Sequence, residues 1–184
     1  MICYLIRHGK DDDSVRGGWS SAGLTEEGVR EVEKLAERIG SETGMNVSEM
    51  FSSDLPRAKQ TAEIISSRLG MRVEYLSEFR ETDNGDLAGM KNSVAALKYP
   101  DLYWNTLEWD QCYPNGESPH LFFNRISSAW NEFKKKAREL NGNVILVTHG
   151  GVINVIWHIE NNIPYSNGSK AFSIEHTGII SFDI

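Results

Sequence analysis

Two short apolar runs end the same way: "ICYLIRHGK" (residues 2–10) and "VILVTHGG" (144–151) each deliver a histidine followed at once by glycine. Ile2, Tyr4, Leu5 and Ile6 read as a buried strand, and the near-continuous run at 144–147 suits a sheet covered on both faces. Covering both faces takes helices, and the chain supplies them in alternation. Between Leu24 and Ile39, the residues Val29, Val32, Leu35, Ala36 and Ile39 recur at helical spacing, with Thr25 as N-cap and Gly40 as the stop. "VSEMFSS" (47–53) reads as a strand. Ser53 or Asp54 then caps a helix carrying Ala58, Thr61, Ala62, Ile65 and Leu69, closed by Gly70, and "MRVEYL" (71–76) is a third strand.

Residues 82–116, broken by Gly85, Gly89, Pro100, Pro114 and Gly116 and rich in aromatic side chains, predict short helices in a cap-like excursion. A long amphipathic helix is expected from Glu117 to Leu140, burying Leu121, Phe122, Ile126, Ala129, Trp130, Phe133 and Ala137. A helix over 151–159 and two closing strands within 171–184, turning near His176 to Gly178, complete the pattern. Strands alternating with helices predict an α/β three-layer sandwich, its central sheet mostly parallel and flanked by helices on both faces. With 184 residues and no internal repeat or linker, 1–184 is expected to be a single domain.

A net charge of -7 and a pI near 5.3 argue against nucleic acid as a partner, so any anion must be held by a local cluster of positive groups. Cys3 and Cys112 are far apart and form no CxxC pair, which argues against zinc and disulfides and leaves Cys3 as a small core residue. No leader precedes the first strand and no apolar run reaches the ~20 residues of a membrane helix, so the expectation is a cytoplasmic protein without a membrane partner.

In open α/β sheets, ligands gather outside the carboxyl ends of strands. Arg7, His8 and His149 all fall there. The glycines that follow would let backbone approach a ligand, and Gly150 and Gly151 open a helix whose free N–H groups favour an anion. Arg57, in the first turn of the helix within "SSDLPRAKQTA" (52–62), would project into the same crevice. Two guanidiniums and two imidazoles match a tetrahedral dianion, at roughly 1.5–3 kcal/mol net per charge-assisted hydrogen bond. A phosphate ester also needs a general acid. "EFRETDNGDLAG" (78–89) offers Glu78, Glu81, Asp83 and Asp86, and spacing alone does not choose among them.

"LIRHG", "GLTEEG", "SSDLPRAKQTA", "FRETDNGDLAG", "NGES" and "LVTHGG", in that order, resemble the histidine phosphatase superfamily, the phosphoglycerate-mutase-like fold. The resemblance spans most of the chain. It implies that His8 is the nucleophile that becomes phosphohistidine, that Arg7, Arg57 and His149 hold the non-bridging oxygens, and that Glu81 is the proton donor. It places Glu117 near the pocket rim, with Gly150 and Arg16 on the substrate side and Gly18-Trp19 matching a family Gly-Trp arrangement. No metal and no cofactor is implied.

Family mutases generally carry a longer insertion after the acid and extra basic residues. Here 82–116 is compact and offers only Lys91 and Lys98, which favours hydrolysis of a small phosphorylated metabolite over phosphoglycerate mutase activity. The same motifs would also serve an α-ribazole phosphate phosphatase or a non-catalytic binder of phosphorylated ligands. Tyr99, Trp104 and Trp109 offer a wall for the leaving group, or simply pack the cap. After RHG the sequence "KDDDSVRGGW" departs from the family pattern: Lys10 adds positive charge at the mouth, while Asp11, Asp12 and Asp13 are expected to form a solvated loop that, if it lined the mouth, would penalise polyanions. Arg125 is expected to be structural and His158 a hydrogen-bonded helix residue, while His120 and His176 receive no role.

Overall fold

The computed structural model describes residues 1–41, 45–169 and 171–184. Five strands form one sheet in the order β3-β2-β4-β1-β5: β1 (Ile2–Arg7), β2 (Val47–Ser52), β3 (Val73–Tyr75), β4 (Asn143–Thr148) and β5 (Ile179–Asp183). All pairings are parallel except β1 with β5, which is antiparallel. The helices are α1 (Glu26–Ser41), α2 (Pro56–Leu69), α3 (Asn92–Lys98), α4 (Pro119–Ala137) and α5 (Gly150–Glu160).

The period of two along a strand divides the core. Cys3, Leu5, Val144 and Leu146 face α4 and α5, where Phe122, Ile126, Trp130, Phe133, Val152 and Ile156 cover them. Ile6, Ile145 and Val147 face α1 and α2, covered by Val32, Leu35, Ile39, Ala58 and Ile65. The two expected helical layers are therefore present. Burial pushes the Cys3 thiol well above its ordinary range, consistent with an inert core residue. Among the described residues no helix is long and apolar enough to cross a membrane.

Several boundaries differ from expectation for identifiable reasons. Thr25 does accept from the Gly28 N–H (3.0 Å), but Gly40 does not end α1, which runs on to Ser41. Neither Ser53 nor Asp54 caps α2: Leu55 is the N-cap, Pro56 supplies the first-turn φ, and Asp54 pairs instead with Arg80, whose Nε lies 2.6 Å away. Gly70 closes α2 in the left-handed conformation as expected. On α4, capped by the Ser118 hydroxyl, Leu121 lies 51% exposed rather than in the buried stripe.

Only one of the two closing strands forms. Residues 171–178 direct backbone carbonyls to side chains instead of a ladder: Phe172 O accepts from Asn154 Nδ2 and Ile174 O from Arg7 Nη1 (2.7 Å). Thr177, at φ 57°, then bends the chain so that its N–H donates to Arg7 O (3.1 Å). Residues 82–116 contain α3 and short 3-10 turns around a small apolar cluster of Leu87, Leu107 and Tyr113.

Candidate active site

The register of β1 against β4 sets Arg7 opposite Thr148, so the next residues, His8 and His149, leave the sheet side by side. Their ring centroids are 5.1 Å apart and both are buried. Gly9 has a different purpose from the one expected: a Cβ there would lie 2.6 Å from Val32 Cγ2 and 2.8 Å from Gly28 O, so the missing side chain lets α1 dock. Gly9 N–H donates to Thr61 on α2, tying the strand end to both helices.

The His8 ring has a fixed polarity. Nδ1 lies 2.8 Å from Gly9 O, which can only accept, so Nδ1 carries the proton and Nε2 keeps the lone pair. Nε2 accepts from Arg57 Nε at 3.2 Å. Burial, then the Arg57 charge, push the His8 pKa well below its ordinary value, so the imidazole is neutral. His149 is the N-cap of α5, and its Nε2 lies 2.8 Å from Ser53 Oγ. That hydroxyl also accepts from Leu55 N–H, and with its own proton turned to His149 Nε2 the ring presents Nδ1–H as a donor. Burial first, and Arg57 next, lower the His149 pKa too.

Arg7 and Arg57 are held by backbone. Arg7 donates through Nη1 to Ile174 O and through Nη2 to His176 Nε2 (3.0 Å); Arg57 donates through Nη2 to Gly18 O (2.8 Å). Among the described residues four buried side-chain nitrogens nevertheless have no partner: Arg16 Nε and, on the groups around His8, Arg7 Nε, Arg57 Nη1 and His149 Nδ1. Leaving a buried donor unpaired costs about 1–3 kcal/mol, more for a charged group. Three of them on groups packed about one imidazole form an anion cradle.

Of the four candidate carboxylates only Glu81 joins Arg7 and His8 in lining a cavity of about 470 Å³, while Arg57 and His149 are buried and not part of its lining. The Glu81 oxygens accept from Thr82 N–H and Gly151 N–H, both at 3.0 Å. Gly151 leaves room for this carboxylate position: a Cβ would fall 2.3 Å from Glu81 Oε1 and push it aside. The Glu81 carbonyl is clamped by Trp19 Nε1 (2.6 Å) and Arg125 Nη2 (3.1 Å). Arg125 also donates to the Glu78 and Arg80 carbonyls and to both oxygens of Glu117, which itself accepts from Asp83 N–H. Arg125 and Glu117 thus buttress the turn that carries Glu81, and Glu117 does not line the cavity. Asp86 is exposed, and Asp83 accepts from Gly85 N–H.

Gly150 and Arg16 do line the cavity, the Arg16 guanidinium lying 4.4 Å from the Tyr103 ring centroid. Lys10 does not: its ammonium is drawn out to Glu27 at 2.6 Å. The acidic run divides, with Asp12 and Asp13 exposed and Asp11 turned inward to Arg57 (Nε to Oδ2, 3.3 Å). His176 enters the site, its ring centroid 5.6 Å from that of His8; burial, then Arg7, lower its pKa. Trp104 walls the cavity, but Tyr99 and Trp109 do not; Trp109 stacks on His120, which bonds Asp110. His158 is buried against Asn154 O. Tyr103, Tyr113, Tyr165, Asn154 and Asn167 also line the cavity, and no sequence motif marks them.

A family model described as "Histidine phosphatase superfamily (branch 1)" matches residues 3–184. "Phosphoglycerate mutase-like protein 4" of Arabidopsis thaliana is 29% identical over 83% of this chain and 68% of its own. "Metal-independent phosphoserine phosphatase" from the same plant is 32% identical over 83% and 66% respectively. The solved structure of a mycobacterial glucosyl-3-phosphoglycerate phosphatase superposes with a TM-score of 0.80 at 25% identity, covering 98% of this chain and 88% of that one.

Proposed function

The chain belongs to branch 1 of the histidine phosphatase superfamily, and from that premise we propose that it is a metal-independent phosphomonoester hydrolase with His8 as nucleophile. The observation that carries this reading is the set of three unpartnered buried nitrogens, Arg7 Nε, Arg57 Nη1 and His149 Nδ1, packed about a neutral histidine. They are disposed to take the three non-bridging oxygens of a phosphoryl group, where charge is stabilised in transfer.

His8 Nε2 attacks phosphorus as the ester P–O bond breaks, and Glu81 gives its proton to the departing alcohol oxygen. Water then attacks the phosphohistidine, Glu81 takes the water's proton, and inorganic phosphate leaves with His8 restored. Positive charge comes from the two guanidiniums. The α5 N-terminus adds its dipole, and Gly151 N–H stabilises the ionised Glu81 between giving its proton to the alcohol and taking one from water.

Hydrolysis is favoured over mutase chemistry by the walls. Beyond the phosphate floor Arg16 is the sole cationic side chain lining the cavity among the described residues, against Tyr103, Trp104, Tyr113, Tyr165 and Phe172, and neither Lys91 nor Lys98 reaches it. This suits a small phosphorylated metabolite whose alcohol half is largely uncharged. In this reading residues 1–184 act as one domain, with 82–116 as the wall-building excursion.

The test is turnover of an aryl phosphate together with trapping of radiolabelled phosphate on the protein. The wild type is expected to do both and His8→Ala neither. A fully active His8→Ala enzyme overturns the assignment, and binding of phosphate without turnover or labelling in the wild type would mark a non-catalytic binder.

A further inference from the structure

The inward turn of Asp11 is the feature that phosphoryl transfer leaves unused. Its backbone is pinned by a bridge to Leu24, and the adjoining Lys10 carbonyl accepts from Thr25 N–H (2.9 Å), so the residue is fixed against the start of α1. Its side chain, 17% exposed, lies against Arg57, itself 2% exposed. One carboxylate oxygen is 3.3 Å from Arg57 Nε, and the other is 3.8 Å from His176 Nε2. Asp11, His8 and His176 present ligand atoms all within 4.8 Å of one another. A carboxylate therefore stands beside the His8 ring, on the guanidinium nitrogen that also holds that ring.

We propose that Asp11 is a built-in competitor for phosphate: its carboxylate takes an oxyanion position beside Arg57, and a phosphoryl group must displace it to reach His8. The inference rests on the phosphatase reading and names the group that sets anion affinity at the same site. The carboxylate relieves Arg57 of being a buried charge without a counterion, and swings out by side-chain rotation when a dianion arrives. Affinity for phosphoryl oxyanions is weakened by the displacement, which speeds release of inorganic phosphate from a pocket otherwise strongly positive.

The same three side chains have the composition of a divalent cation site, but the charges oppose one. Arg57 Nε and Arg7 Nη2 already donate to His8 Nε2 and His176 Nε2, so a cation there would displace two hydrogen bonds and meet two guanidiniums.

Orthovanadate and inorganic phosphate binding to the wild type, Asp11→Asn, Asp11→Ser and Asp13→Asn tests this by calorimetry and by thermal shift. Asp13→Asn removes the same charge from an exposed residue of the loop. Asp11→Asn and Asp11→Ser are expected to bind both anions about tenfold or more tighter than the wild type, with Asp13→Asn unchanged. Saturating phosphate should raise the melting temperature of the Asp11 variants by more than it raises that of the wild type, because tighter ligands stabilise more at equal concentration. Either Asp11 variant suffices if the other does not fold. Unchanged or weaker anion binding in the Asp11 variants, with the wild type binding, overturns the competitor role alone. Absence of anion binding in all four proteins overturns the phosphate site itself. Zinc binding to the wild type that is lost in Asp11→Asn, with vanadate affinity unmoved, overturns the proposal in favour of a cation site.

Discussion

His8 owes its chemistry to a carbonyl that fixes its proton and to burial, reinforced by a neighbouring guanidinium, that keeps it neutral. Because Nδ1–H is committed to Gly9 O, the phosphorylated intermediate is expected on Nε2, the tau isomer, and an isomer-selective antibody or phosphorus-nitrogen NMR coupling would check it. The same burial carries a cost in acid. The folded-state pKa values of His8 and His149 lie below the ordinary 6.5, so the unfolded chain binds protons that the folded one refuses. Stability is then full above that pH and falls as pH drops beneath it, by up to about 1.4 kcal/mol per pH unit for each ring. Urea unfolding at pH 7 and 5.5 should show the loss, and His8→Ala should show a shallower one. Arg7, His8, Arg57 and His149 are legible in the sequence because strand ends and a helix start announce them. Ser53 is not, since a serine that hydrogen-bonds a histidine ring looks like any other. Lys10 and Asp11 depart from expectation for one reason: a charged side chain goes where its partner is, and Glu27 and Arg57 lie on distant segments that only the fold brings alongside.

At the scale of elements, the turn carrying Glu81 has no regular structure of its own and is held by hydrogen bonds from α4 and from Trp19. Arg125 makes three of these contacts, to the Glu78, Arg80 and Glu81 carbonyls, and two more to Glu117. Arg125→Lys keeps the charge but loses the fork. Misplacing the acid by about 1 Å is expected to slow kcat by up to about 10²-fold on alkyl phosphates, and far less on p-nitrophenyl phosphate, whose leaving group needs no proton. Gly151→Ala should give the same leaving-group dependence, since its Cβ meets Glu81 Oε1. A loss equal on both substrates would show general damage instead. Helices and parallel strands are readable from periodicity. The strand expected ahead of β5 does not form, because Arg7 and Asn154 claim carbonyls that a ladder would have used.

The whole molecule is two apolar layers on one sheet, with the chemistry at its carboxyl edge. Trp130 anchors one layer, fully buried, with Nε1 donating to Glu160 at 2.6 Å. Trp130→Ala is expected to cost about 3–5 kcal/mol, read from the denaturation midpoint. The architecture is visible in the alternation of patterns, whereas the aromatic cavity is not, since its lining residues come from segments without a common period. The register between β1 and β4 has a further consequence. The two imidazoles stand about as far apart as adjacent strands do, so backbone spacing itself gauges the span between them. Slipping either strand by one residue would turn its core side chains over along with its catalytic one. Misalignment of that ladder therefore cannot yield a sound but chemically silent protein: a copy out of step would be lost to folding quality before it could ever be an idle enzyme.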